Sequence, residues 1–141
     1  RKGCWEAYAS ATALIRETKK VMENRPDSLM HKVAAEHGKV SGRTAFTAAK
    51  MGDTAAKRLV KKYLENIAEG ISNLVNIIRP DVVLIGGGIS NEGEYFIKRL
   101  QKLVDKYNYG GGMNPSVPLK RATLLNDAGV VGAAALAMNK D

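Results

Sequence analysis

Cysteine is almost absent, Cys4 being the only one in 141 residues. No disulfide can form within the chain, which excludes a small disulfide-stapled fold and makes a reducing compartment, the cytoplasm, the expected setting. Long apolar runs are missing as well. The longest mostly apolar stretch, Ala128 to Met138, falls short of the ~18 residues of a membrane-spanning helix. No basic-then-apolar leader opens the chain, so neither secretion nor membrane insertion is expected. Aromatic residues make up only 6%, and no homeodomain, zinc-finger or basic-zipper pattern accompanies them; nucleic-acid binding is therefore not expected. There is no internal repeat or low-complexity segment, which leaves residues 1–141 as one folded unit.

What is present in excess is positive charge. Lysine and arginine number 22 against 14 acidic residues, a formal charge of +8. The cations fall at helical spacing (Lys57, Arg58, Lys61, Lys62; then Lys98, Arg99, Lys102, Lys106) and mix with Glu and Asp. That pattern describes solvated helix faces, with a weak general attraction for anions, nucleotides included, as the alternative. A chain of this length buries roughly 68–70% of the surface its unfolded form exposes, enough for a core without staples.

The spacing of Trp5, Tyr8, Thr12, Ile15 and Met22 predicts one helix from Trp5 to about Glu23, stopping before Arg25-Pro26. Asp27 and Ser28 are candidate caps for a short helix that Gly38 ends, and Ser41 caps another that Gly52 closes. Asp53 caps the longest element, in which Ala56, Val60, Tyr63, Ile67, Ile71, Leu74 and Ile78 trace one apolar stripe up to Pro80. Val82 to Ile85 is an all-apolar run of the kind covered on both faces of a sheet. A helix through Phe96, Leu100 and Val104 follows, capped by Ser90 or Asn91, and Leu119 to Leu125 reads as a second strand. Asn126-Asp127 then caps a small-residue helix, Ala128 to Met138, suited to close packing on a neighbour. Strands alternating with helices imply α/β architecture.

Two strands make a poor sheet, and a strand as apolar as Val82 to Ile85 needs partners along its edges. Further strands are therefore expected upstream of Arg1 or in a partner. The abrupt opening, Arg1-Lys2-Gly3-Cys4, adds to the expectation that the sequence is a piece of a larger α/β protein.

Gly86-Gly87-Gly88 sits where a buried strand gives way to a helix, the position at which open α/β sheets bind ligands. Glycine there permits close approach of a nucleotide to the backbone. The spacing is neither GxGxxG nor a Walker lysine loop, and a plain tight turn is the equal alternative. Cys4 alone reads more simply as a small hydrophobe than as a ligand, since structural zinc needs about four ligands. His31 and His37 have no spacing that pairs with it and read as ordinary residues. Glu6, in a first helical turn, is favourable to the helix dipole.

Gly3-Cys4-Trp5-Glu6 resembles the end of the CxCGxxGCxE signature of the ROK family (repressors, open reading frames and sugar kinases). Three further stretches, Gly42 to Phe46 with Lys50 to Asp53, Val82 to Ser90, and Leu125 to Ala134, are similar to the same family in the same order. The resemblance covers essentially the whole chain and implies the helix-rich C-terminal part of an actin-like ATPase (RNase H-like) domain whose other strands lie upstream. It implies ATP-dependent transfer of phosphate to the 6-hydroxyl of a hexose, with glucose preferred, ATP and Mg as cofactors, and a structural Zn. Residue by residue, Cys4 becomes the last ligand of a His/Cys₃ zinc site, Glu6 accepts hydrogen bonds from sugar hydroxyls, and Gly86, Gly87 and Gly88 line the nucleotide side.

The family's phosphate loop and catalytic Asp are expected upstream, so no catalytic residue is assigned here and this segment alone is expected to be inactive. Asn126-Asp127-Ala128 resembles the family's catalytic Asn-Asp-Ala segment, yet that segment precedes the zinc loop in the family; Asp127 is read as an N-cap. The alternative function is the sugar-sensing domain of a ROK transcriptional repressor. The partners expected are the hexose, ATP, the upstream half of the same polypeptide and further copies of itself in a homo-oligomer.

Overall fold

The computed structural model describes residues 3–124 and 127–138. The first expected helix is two. Ser10 takes an extended conformation (φ −80°, ψ 162°) and its hydroxyl accepts from the Ala13 amide at 3.1 Å, which ends α1 (Glu6–Ala9) and starts α2 (Ala11–Asn24). A serine among alanines lets the side chain compete with the helix for a backbone donor. In α3 (Met30–Glu36) Ser28 serves the first turn, accepting from the Met30 amide at 3.2 Å. Asp27 instead points outward and pairs with Arg25.

Ser41 and Thr44 form a capping box on α4 (Gly42–Lys50): the Ser41 amide donates to Thr44 Oγ1 at 2.9 Å and the Arg43 amide to Ser41 Oγ at 3.3 Å. Asp53 caps α5 (Thr54–Ile78), as its position requires, with Oδ1 accepting from the Ala56 amide at 2.8 Å.

The core forms where α4, α5 and α6 (Glu94–Tyr107) meet. Phe46 is fully buried and stands edge-on to Tyr63 (centroids 6.4 Å apart) and Phe96 (6.2 Å). The α5 stripe holds from Ala56 to Ile71 and then turns. Val75 is buried, whereas Leu74 and Ile78 are 47% and 67% exposed. In its last two turns the helix gives Ile71, Ser72 and Val75 to the interior, which rotates Leu74 toward the sheet.

β1 (Val83–Ile85) pairs in parallel with β2 (Leu119–Arg121), Val83 opposite Leu119 and Ile85 opposite Arg121. Gln101 of α6 fixes β2 through its Oε1, which accepts from the Leu119 amide at 2.7 Å. The expected cover on both strand faces is absent among the described residues. Val83 and Ile85 pack on the core, while Val82 and Leu84 are 37% and 62% exposed. Two strands carry helices on one face only, and the other stays bare. β2 is shorter than the expected 119–125; Leu125 and Asn126 lie outside the described residues.

Helix α6 starts from Gly93 (φ 67°) rather than from a Ser90 or Asn91 cap, because residues 88–92 form a 3₁₀ turn. α7 (Ala128–Met138) has the expected extent, directly after Asp127. Its Val130, Leu136 and Met138 are exposed, so the close packing expected of it is not made against any described residue.

Tyr63 ties the first helical corner to this core, its hydroxyl donating to the Ala9 carbonyl at 3.0 Å. Burial pushes its phenol up to about 12 from 10.0. A raised phenol pKa means that the neutral form is the one the fold prefers, so its contribution is full below pH ~10 and is lost as pH rises toward ~12. Tyr63→Phe is expected to cost about 0.5–1.5 kcal/mol at neutral pH in urea unfolding. The gap to wild type should close in that alkaline window.

Candidate functional site

Two hollows meet at the carboxyl end of β1. One, about 400 Å³, is an apolar groove between α1, the C-terminal half of α5 and β1, with Trp5, Ile67, Ile71 and Leu84 in its walls. Glu6 supplies its one carboxylate. The other, about 430 Å³, is lined by His37, Lys39, Arg43 and the N-terminus of α4 on one side and by Gly88 and Asn91 on the other. Ile89 belongs to both walls, so the two hollows adjoin across a single side chain.

The glycine turn is held firmly. Gly87 adopts φ 75°, ψ 179°, which a residue with a side chain takes only under strain. Behind it Ser90 is fully buried, and its hydroxyl donates to the Gly87 carbonyl at 2.7 Å. Lys50, from the end of α4, reaches Glu92 at 2.6 Å, and Arg121 donates to Asn91 Oδ1 at 3.1 Å. Gly86, Gly87 and Gly88 themselves remain exposed. A Cβ at Gly87 or Gly88 would meet no atom within 4 Å, so that face of the turn is open. Exposed amides beside two cations and a helix N-terminus favour an anion such as a phosphate chain.

Cys4 and Glu6 lie together on the other side, both exposed, at the start of α1. Trp5 between them donates its Nε1 proton to the Asn66 carbonyl of α5 at 2.8 Å. The donor chemistry for zinc is one thiol here, and among the described residues no group of three or more His, Cys, Asp or Glu stands together. These residues alone make no tetrahedral site. His31 is engaged through Nε2 with the Met22 and Arg25 carbonyls, as a structural histidine, while His37 belongs to the hollow of Lys39 and Arg43.

The structure thus brings Glu6 and Gly88 to adjoining hollows and leaves Cys4 on the outer side of the same corner. Sequence reasoning missed Lys39, Arg43, the Lys50–Glu92 pair and buried Ser90. The first two were submerged among many scattered cations, and the last two are visible only once the turn folds back on α4. Among the described residues no helix is long and apolar enough to cross a membrane.

Comparison with known proteins gives this arrangement a family. The profile of the ROK family matches residues 1–140. A glucokinase of Thermotoga maritima is 32% identical over 135 residues, 96% of this chain and 42% of that protein. The crystal structure of a ROK family glucokinase from Streptomyces griseus in complex with glucose and AMPPNP superposes with a TM-score of 0.83 at 30% identity, covering 96% of this chain and 45% of that one. A xylose repressor of Caldicellulosiruptor bescii is 28% identical over 108 residues, 76% of this chain and 27% of that protein. The chain spans less than half the length of these relatives. Its fold is the helix-rich C-terminal part of an actin-like ATPase domain.

Proposed function

The chain belongs to the ROK family, and on that premise we propose that it forms the sugar- and nucleotide-contacting part of an ATP-dependent hexose kinase, with glucose the preferred substrate. The observation that carries this reading is the meeting of two chemically different hollows at Ile89. Phosphoryl transfer needs both substrates in line and little covalent help from the protein. Glu6 would accept hydroxyl protons of the hexose, and a charged acceptor makes such hydrogen bonds strong. Gly86, Gly87 and Gly88 would offer backbone to the nucleotide, with Lys39 and Arg43 near its phosphates. Magnesium, entering with ATP, supplies charge neutralisation on the phosphates. The catalytic base and the remaining zinc ligands for Cys4 would come from the rest of the polypeptide. Cytoplasmic location and assembly into a homo-oligomer, through apolar surfaces such as α7, complete the reading.

The test is coupled ADP release by the full-length protein with Mg-ATP and a panel of glucose, fructose, mannose and N-acetylmannosamine. Hexose-dependent turnover, highest with glucose, is expected; none with any of the four overturns the reading. The similarity to a xylose repressor supports a second reading, a sugar-sensing domain. A protein that binds a sugar in calorimetry but turns over no ATP would be that sensor.

The glycine turn gives a separate expectation. Gly87→Val places a β-branched residue at φ 75° on the open face. The KM for ATP should rise about tenfold, a 1.4 kcal/mol effect, with the KM for hexose within about twofold. Equal shifts in both constants would remove the glycines from the nucleotide side.

A further inference from the structure

Helix α5 carries a glycine, Gly70, in its interior, where glycine is less favourable than alanine. It is not there for a turn or a positive φ. A Cβ built on Gly70 would lie 2.5 Å from Trp5 Cδ2 and nearer still to Cε2 and Nε1, inside the indole itself. The indole therefore lies flat on helix backbone, in a notch that only glycine opens. One turn earlier on the same helix, the Asn66 carbonyl accepts the Nε1 proton at 2.8 Å. Ring contact and hydrogen bond together fix Trp5 in both position and rotation.

Trp5 is the residue between Cys4 and Glu6, and it walls two spaces at once. On one side is the groove of Glu6; on the other is a polar hollow of about 220 Å³ shared with Gly3, Tyr8 and Asn66. Helix α1 is a single turn with no buried residue and no side-chain cap at its start. Its own hydrogen bonds cannot hold Glu6 to a fraction of an ångström. Tyr63 of α5 and Arg16 of α2 hold the later α1 carbonyls of Ala9 and Ala7, and the link to α5 at the Glu6 end of the helix runs through Trp5.

We propose that Trp5 is a positioning residue for Glu6, and that Gly70 is the notch that lets it act. The role rests on the reading of Glu6 as the sugar carboxylate. Trp5 forms part of the groove wall, and in this scheme its part is to set where the Glu6 carboxylate stands against the groove. Gly70→Ala forces the indole outward by about an ångström or more to regain ordinary contact, and misplacement of that size costs up to about 10²-fold in a positioned interaction.

The test uses the full-length protein labelled with 5-fluorotryptophan, the Trp5 line being assigned by its loss in Trp5→Phe. In Gly70→Ala the Trp5 fluorine line should shift, and hexose affinity by calorimetry should fall about tenfold or more. The KM for ATP should stay within about twofold. The gain in helix propensity and the lost indole contact oppose each other, so melting should change little and folding does not confound the reading. In the double variant Trp5→Leu with Gly70→Ala the smaller side chain no longer meets the new methyl, and hexose affinity should recover to within about threefold of Trp5→Leu alone. Trp5→Leu alone should itself weaken the hexose by several-fold.

An unshifted Trp5 line in Gly70→Ala overturns the notch. A shifted line with unchanged hexose affinity overturns the positioning role. Loss of ATP and hexose affinity in parallel also overturns it, because that is what a general structural defect does. Failure of the kinase reading looks different: no ADP release by wild type with any hexose, while the calorimetric comparison of Gly70→Ala with wild type still decides the positioning role.

Discussion

Asp53→Ala is expected to lower the unfolding free energy by about 3 kcal/mol, more than a surface cap would. The residue is 8% exposed and its two oxygens are fully used. Oδ1 caps α5 by accepting from the Ala56 amide at 2.8 Å; Oδ2 accepts from the Ser28 hydroxyl at 2.7 Å and the Leu29 amide at 2.6 Å. One carboxylate thus ends the loop after α4, starts α5 and ties down the start of α3, 24 residues earlier. Alanine leaves three donors unpaired, two of them on buried residues, and that penalty exceeds the value of a simple cap. Asp53→Asn keeps an acceptor for the cap and should cost about half as much.

The pH dependence has a definite sign. Burial pushes the Asp53 carboxyl upward, but the bonds from Ala56, Ser28 and Leu29 outweigh it and hold the group below 3.8. A depressed pKa means that the contribution is full above the unfolded value and is lost as pH falls through the folded one. Wild type and Asp53→Ala should therefore differ most in urea unfolding at neutral pH and converge as the pH falls through the depressed folded value. A constant gap across that range would show that Asp53 acts through packing rather than through its charge.

Asp53 is also a case of what the sequence could reveal. Its cap of α5 follows from an acidic residue between Gly52 and an apolar stripe, a local pattern. Its bonds to Ser28 and Leu29 follow from tertiary folding and carry no local mark. The same division runs through the fold. Caps at Ser41 and Asp53, the long α5 and the strand-turn-helix order were legible because each rests on a few neighbouring residues. The break at Ser10 was not, since the apolar spacing of Tyr8 and Ile15 continues across it. Leu74 and Ile78 were misplaced because an ideal stripe ignores which face α6 occupies. At the site, the glycine turn announced itself, while its supports Lys50, Ser90 and Arg121 come from three separate segments. Gly70 carries no local mark of its role, because Trp5 comes to lie on it from the far end of the sequence.

The second large effect concerns Glu6. In the full-length protein Glu6→Ala should raise the KM for hexose by about 10- to 150-fold, the equivalent of losing 1.5–3 kcal/mol of hydrogen bonding to a charged group. The KM for ATP should stay within about twofold, because the carboxylate stands in the apolar groove and not in the hollow of Lys39 and Arg43. Glu6→Gln keeps one acceptor oxygen without the charge and should fall between, at about tenfold. The competing role is favourable interaction with the helix dipole, and its size is limited. An exposed carboxylate in the first turn contributes about 0.3–1 kcal/mol to helix stability, and α1 is a single turn. The two roles separate cleanly by measurement. A dipole residue moves the melting temperature slightly and leaves hexose affinity alone; a sugar ligand does the reverse. Steady-state kinetics for both substrates, taken with thermal melts of all three proteins, decides between them. An unchanged hexose KM in a folded, active Glu6→Ala protein would remove Glu6 from the sugar site and leave the groove without a polar anchor.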